Sequence, residues 1–446
     1  MKLLTVISVM VFSYVSSIAQ IQIRPLPEPG FEKRIRDHVF NMEIIDTHEH
    51  LGSQDGWKNS PALGIMMLLH QYADDDIKSA GMGKPEFAEL MTGKYTEEEK
   101  WHKVKPYWED AKSTGYGRCV LLSVDKLFGI KDLNDSTILV LHDKLKDVYE
   151  TDWYKTVLQD KAKIKYSILD DGQMRLKGDM FRNVEKFDAF IRIFSKEDIE
   201  KLANRYKVQV SSLDDYERML NDSFADAVKR GIIGVKSALA YHRILDYRDA
   251  PLSEAEAVFR KMTENPDKTF TFDEVKPFQD YIMHRIIRLA RKYDLPIQFH
   301  TGLQAGDGNY IRNSNPALLA NLFLEYRDVK FVIFHGGYPY GGEFGSLAKN
   351  FRNVYIDLCW LYIISPSYSE RYLHEWIETV PANKIMAFGG DFENVENIYG
   401  HSLMAREVVS KVLIDKVRTG YLTEKEAIEI ADKILYRNAA DLFRLE

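Results

Sequence analysis

Short apolar runs rich in β-branched residues recur along the chain, and segments with helical spacing separate most of them. The runs are 42–47 (MEIIDT), 118–124 (RCVLLSV), 187–194 (FDAFIRIF), 232–237 (IIGVKS), 295–301 (LPIQFHT), 329–335 (VKFVIFH), 354–358 (VYIDL) and 384–389 (KIMAFG). They are continuously apolar rather than alternating, which predicts strands buried on both faces, as in a parallel sheet. Strands that alternate with helical patterns predict βαβ units. Eight such units give an α/β fold, a (β/α)8 TIM-type barrel with helical insertions. Two helices are plain: 278–293 (FQDYIMHRIIRLARKY), and 424–435 (EKEAIEIADKIL), which follows Thr423 as an N-cap. Three connections are long. Residues 52–116, 127–186 (mostly helical) and 251–277 (polar and loop-like) are expected to fold as lids and side walls of one barrel domain spanning 20–446, because bare loops of that length are unusual.

The composition, 45% hydrophobic and 28% charged with a net charge of -7, is that of a soluble globular protein and argues against nucleic acid as a partner. The first residues, MKLLTVISVMVFSYVSSIAQ, have the form of a secretory signal over 1–19. Lys2 is the positive region, an apolar core follows, and Ser17-Ile18-Ala19 is a small-x-small cleavage site. The core is too short for a membrane span. A periplasmic or secreted protein is therefore expected, with no membrane span. Cys119 and Cys359 make no disulfide framework and are expected to be buried thiols.

The candidate chemistry lies at strand ends. His48 and His50 (IIDTHEHLG) close the first strand, and positions i and i+2 share one face. Lys236 closes the fourth strand, His300 the fifth, His335 the sixth, and Asp391 the turn after the eighth. One buried histidine is usually a satisfied core residue. Four histidines and an aspartate, all at the C-terminal ends of barrel strands, point to an active site instead. Glu49 points to the other face and is expected to be structural. Glu393 and Glu396 follow Asp391 in a polar loop, either solvated or in contact with substrate.

Asp46-Thr47-His48-Glu49-His50, the histidines after strands 5 and 6, and the aspartate after strand 8 resemble the amidohydrolase superfamily from the first strand to the terminus. Within it the chain is most similar to the amidohydrolase-2 branch of decarboxylases, hydratases, lactonases and carbon–carbon hydrolases. His300-Thr301-Gly302, His335-Gly336-Gly337-Tyr338-Pro339 and the closing Asn438-Ala439-Ala440-Asp441-Leu442-Phe443 are closest to amidohydrolase domains fused to glutamine-synthetase-like proteins. Uronate isomerases are more distantly similar. The turn Gly389-Gly390-Asp391 departs from the many relatives that have serine there.

The resemblance implies a divalent transition metal, zinc first and manganese or iron as alternatives, held by His48, His50, His300 and Asp391. A metal-activated water would attack, with Asp391 moving the proton and His335 orienting water or substrate as a donor. Lys236 is either a carboxylated bridge between two metals, as in two-metal relatives, or an unmodified lysine kept protonated by Asp391 or a substrate carboxylate. The second is preferred. Lys236, Arg192, Tyr241, Arg243 and Tyr338 are candidates for substrate binding, with His242, Tyr340, Trp360 and Tyr362 near the same mouth. The partner is a small molecule, and a homo-oligomer is left open. The leading expectation is an exported hydrolase of a small carboxylate-bearing amide, ester or lactone. The alternative is a decarboxylase or uronate-type isomerase on the same scaffold. A glycoside hydrolase would need paired acids where this chain has histidines, and a metal-free binding protein would make the cluster structural.

Overall fold

A computed structural model describes residues 28–176, 178–306 and 308–445. The expected signal segment lies outside the described residues. Eight parallel strands stand in sequential order: β1 (Ile44–Glu49), β2 (Ile164–Leu169), β3 (Phe181–Lys186), β4 (Gly234–Ser237), β5 (Ile297–Phe299), β6 (Phe331–Ile333), β7 (Val354–Asp357) and β8 (Ile385–Met386). The barrel closes between β1 and β8 through single bonds near its C-terminal end. Thr47 N–H donates to Phe388 O, Asp391 N–H to His48 O and His50 N–H to Phe392 O. No helix among the described residues is long and apolar enough to cross a membrane.

Six of the expected strands form and two do not. Residues 118–124 belong to the helix Gly115–Phe128. Its Thr114 side chain caps the N-terminus and Gly129, at φ 72°, ends it. Residues 187–194 hold only a 3-10 turn, Asp188–Phe190. The second and third strands are β2 and β3, inside the stretch expected to be a mostly helical insertion. The 251–277 stretch, expected to be loop-like, carries the helix Leu252–Glu264 and the first turns of Phe272–Lys292. The N-cap at Thr423 is present, with a capping box to Glu426.

The chain between β1 and β2 is a helical insertion that includes Ile65–Leu69, Ala73–Ser79, Glu97–Ala111, Gly115–Phe128 and Ile138–Val148. It packs against the long helix Val395–Arg418 that follows β8. Asn394 and Asn397 at the start of that helix donate to Met67 O and Leu68 O. The buried Glu396 carboxylate accepts from Trp153 Nε1 (2.7 Å) and Tyr149 Oη (3.3 Å). Burial pushes Glu396 up to about 7. Glu396 is thus neither solvated nor at the substrate mouth. It fastens the insertion to the barrel. Cys119 and Cys359 are both free and buried.

Candidate metal centre

His48 and His50 project from the end of β1 on one face, and Asp391 meets them from the loop after β8. His48 Nε2 is 3.2 Å from His50 Nε2. Asp391 Oδ1 lies 3.4 Å from His48 Nε2 and 3.1 Å from His50 Nε2. Donor atoms about 2.1 Å from one ion stand about 3.0–3.4 Å apart, so the three atoms have the spacing of a ligand set. Asp391 holds a left-handed backbone, φ 62°. That conformation is uncommon outside glycine, with asparagine, aspartate and histidine enriched in it, and it gathers at functional sites.

The second pair of histidines strengthens the fit. His300 Nε2 is 2.8 Å from Leu303 O, and His335 Nδ1 is 3.0 Å from Cys359 O. A carbonyl only accepts, so both nitrogens carry the proton. Their other nitrogens, His300 Nδ1 and His335 Nε2, then face each other at 2.9 Å with lone pairs on both sides. A cation between or beside them relieves that contact. A second proton on either ring is disfavoured: burial drives His300 well below its usual range and brings His335 down to about 4. Burial, aided by Lys236, also keeps His48 neutral. His50 differs. Burial lowers it, but the Asp391 carboxylate outweighs burial and raises it. For Asp391, burial acts upward and His48 and His50 act downward, and the histidines prevail. Neutral imidazoles and one ionised carboxylate are the donors a divalent transition metal takes.

A family model described as amidohydrolase matches residues 207–445, more than half of the chain. The chain belongs to the amidohydrolase family. Protein fluG of Emericella nidulans is 29% identical over 239 residues, which cover 52% of this chain and 27% of that longer protein. The uronate isomerase of Thermotoga maritima is 22% identical over 92% of this chain and 96% of its own length. The crystal structure of a uronate isomerase from Thermotoga maritima superposes with a TM-score of 0.77 at 19% identity, over 93% of this chain and 97% of that one.

Lys236 reaches the centre of this amidohydrolase. Its Nζ lies 3.5 Å from His48 Nε2 and 3.7 Å from the centroid of the Phe334 ring. Burial lowers its pKa against the pull of Asp170 and Asp391, so the expected protonating effect of the carboxylates is the weaker one. Tyr241 places its ring 4.6 Å from that of His300. Tyr338 packs its ring edge-on 4.7 Å from that of Tyr368. Arg192 is exposed and touches none of the ligand residues. It lines a cavity of about 740 Å³ beyond β2–β4, with Lys186, Arg205 and His242.

Arg243 is a correction. Its guanidinium is buried against Asp280 (2.6 Å) and Gln279 (3.0 Å), with Tyr247 beneath it, and also bonds Ile244 O and Asp246 O, so four of its five donors are committed within the fold. Tyr362 is also structural, donating to Ala387 O.

Two groups escape the sequence. Asp170, just past β2, has a buried carboxylate that lies 3.9 Å from His50 Nδ1 and bonds Lys186 at 2.8 Å. His48, His50 and Asp170 form a metal-competent group. The aromatic wall comes largely from the insertion: Tyr72 stacks on Trp360 (4.5 Å) and Tyr116 (5.4 Å), and Trp360 stands edge-on to His335 (5.0 Å). Glu49, as expected, does not face the ligands. Its carboxylate accepts from Phe392 N–H at 2.7 Å. A Cβ on Gly390 would stand 1.9 Å from Glu49 Oε1, and one on Gly389 would stand 2.7 Å from Thr47 Oγ1. The departure from serine in this turn thus has a packing reason.

Proposed function

We propose that this chain is a metal-dependent isomerase of a small uronate-type sugar acid. The observation that carries the reading is the similarity to uronate isomerases over nearly the whole of both chains, the insertion included. This reverses the order in which the sequence places the two chemistries, where hydrolysis comes first.

A divalent ion held by His48, His50 and Asp391, with His300 and His335 beside it, would polarise a substrate oxygen. Zinc, manganese or iron suits the donors. The chain's own groups handle the protons. Aldose-to-ketose isomerisation moves the hydrogen on C2 to C1 and the O2 proton to O1. Asp391, buried and ionised, takes and returns one proton. His335 accepts a hydroxyl through Nε2, rather than donating as the sequence suggested, because Nδ1 is committed to Cys359 O. Lys236 supplies a nitrogen 3.5 Å from His48 Nε2. Tyr72, Tyr116 and Trp360 wall the site on the side of His335, while His50 stays open to solvent.

Metal-loaded protein is expected to convert glucuronate or galacturonate to the corresponding ketouronate, followed by NMR. It is expected to release no amine or acid from a panel of amides and lactones. Hydrolysis of the panel with the uronates untouched refutes the reading and restores the hydrolase. The family model described as amidohydrolase matches residues 207–445, the half of the chain that holds Lys236, His300, His335 and Asp391. It is the observation that keeps the second reading in the test.

Export is proposed on the N-terminal pattern alone. Mass spectrometry of the native protein is expected to find a mature terminus near Gln20, and an intact Met1 on exported protein would refute it.

A further inference from the structure

The helix Ile65–Leu69 ends in a turn with two consecutive non-glycine residues at positive φ, Gln71 at 60° and Tyr72 at 89°. Backbone of this kind persists where surrounding contacts over-determine it. Here the turn delivers two side chains to the metal centre. Tyr72 goes to the aromatic wall. Gln71 goes to the loop after β8, where its amide grips one stretch of backbone twice. Nε2 donates to Asp391 O at 3.1 Å, and Oε1 accepts from Glu393 N–H at 2.5 Å.

The same loop is held from the other side by β1, through Asp391 N–H to His48 O and Phe392 N–H to Glu49 Oε2. Asp391 is thus strained and clamped between the barrel and the insertion. The insertion makes other bonds around the mouth. Trp57 Nε1 donates to Glu393 O at 2.9 Å, and Asp75 Oδ2 accepts from Gly306 N–H at 2.7 Å. Among the described residues, Gln71 is the insertion side chain that bonds Asp391 itself.

We propose that Gln71 is a positioning residue. By bridging the Asp391 carbonyl and the Glu393 amide it sets the direction in which Asp391 presents Oδ1 to His48 and His50. Seating the insertion and assembling the ligand set then become one event. The inference rests on the metal reading of this site.

The test uses the full chain and cobalt(II) as probe, with affinity from chelator competition and geometry from visible absorption. Gln71→Ala is expected to bind cobalt about ten-fold more weakly, the order seen when outer partners of metal ligands are lost. Its cobalt absorption should shift while its far-ultraviolet circular dichroism stays that of the wild type. Gln71→Glu keeps the acceptor for Glu393 and loses the donor to Asp391, so it should show the same spectral shift. It carries the test if the alanine variant does not fold. Trp57→Phe, which loosens the insertion without touching Asp391, is expected to match the wild type. Wild-type cobalt affinity and spectrum in the Gln71 variants overturn the proposal. So does an equal loss in Trp57→Phe, since the effect would then be general loosening. A wild-type chain that takes up no cobalt overturns the metal reading, and the inference with it.

Discussion

Replacing His48 and His50 together by alanine is expected to abolish metal uptake and lower turnover by about 10³-fold or more. The factor follows from losing several kcal/mol of charge stabilisation at a polarised oxygen, at about 1.4 kcal/mol per decade. Two of the three closest donor atoms would be gone, and Asp391 would be left with His335 at 3.9 Å as its nearest histidine. The fold should survive. The bonds that join β1 to the β8 loop are made by backbone atoms of His48, His50 and Asp391, which alanine preserves. Elemental analysis beside circular dichroism checks both halves. A folded double mutant with full metal content would remove β1 from the site.

The second large effect falls on stability. Arg243→Met is expected to cost about 3–5 kcal/mol, the range for breaking a buried ion pair by removing one partner. Asp280 is fully buried, with Arg243 Nη2 at 2.6 Å, so the truncation strands its charge. Lys276 at 2.5 Å from the other carboxylate oxygen softens the loss, which places the effect at the lower end. Chemical denaturation reads the shift directly. A substrate-binding role, the sequence expectation for Arg243, predicts the opposite: unchanged stability and a raised KM. Unchanged stability would therefore return Arg243 to the substrate mouth.

What the sequence made legible divides along physical lines. β1 and β4–β8 are short apolar runs between helices, and their ends carry the histidines and Asp391. Register along a strand then places the side chains without further information. β2 (IKYSIL) and β3 (FRNVEK) carry polar residues, because Ser167 serves Asp46 inside the barrel and Lys186 serves Asp170 at its rim. Only a short connection, with no helix among its described residues, joins them, so neither composition nor alternation marked them as strands. The run RCVLLSV has the apolarity of a strand, but it lies in a helix buried between the insertion and Val395–Arg418. The decisive signals were the flanking Thr114 and Gly129, which are helix caps. Asp170 was missed with its strand. Gln71, Tyr72 and Tyr116 were missed because no periodic pattern tells where an insertion will lean. Arg243 was misassigned because its partner, Asp280, sits on a helix that sequence spacing does not bring near.

The seam between β1 and β8 also orders events during synthesis. His48 and His50 leave the ribosome early, and Asp391 follows only after most of the chain has been made. Until then β1 has no neighbour on that side, and its two histidines face an incomplete pocket. Contacts between such distant parts of a chain form late and slowly. A metal held by this set would therefore be acquired only after Asp391 has been made, and any fragment ending before Asp391 leaves the donor set short of its carboxylate from that seam.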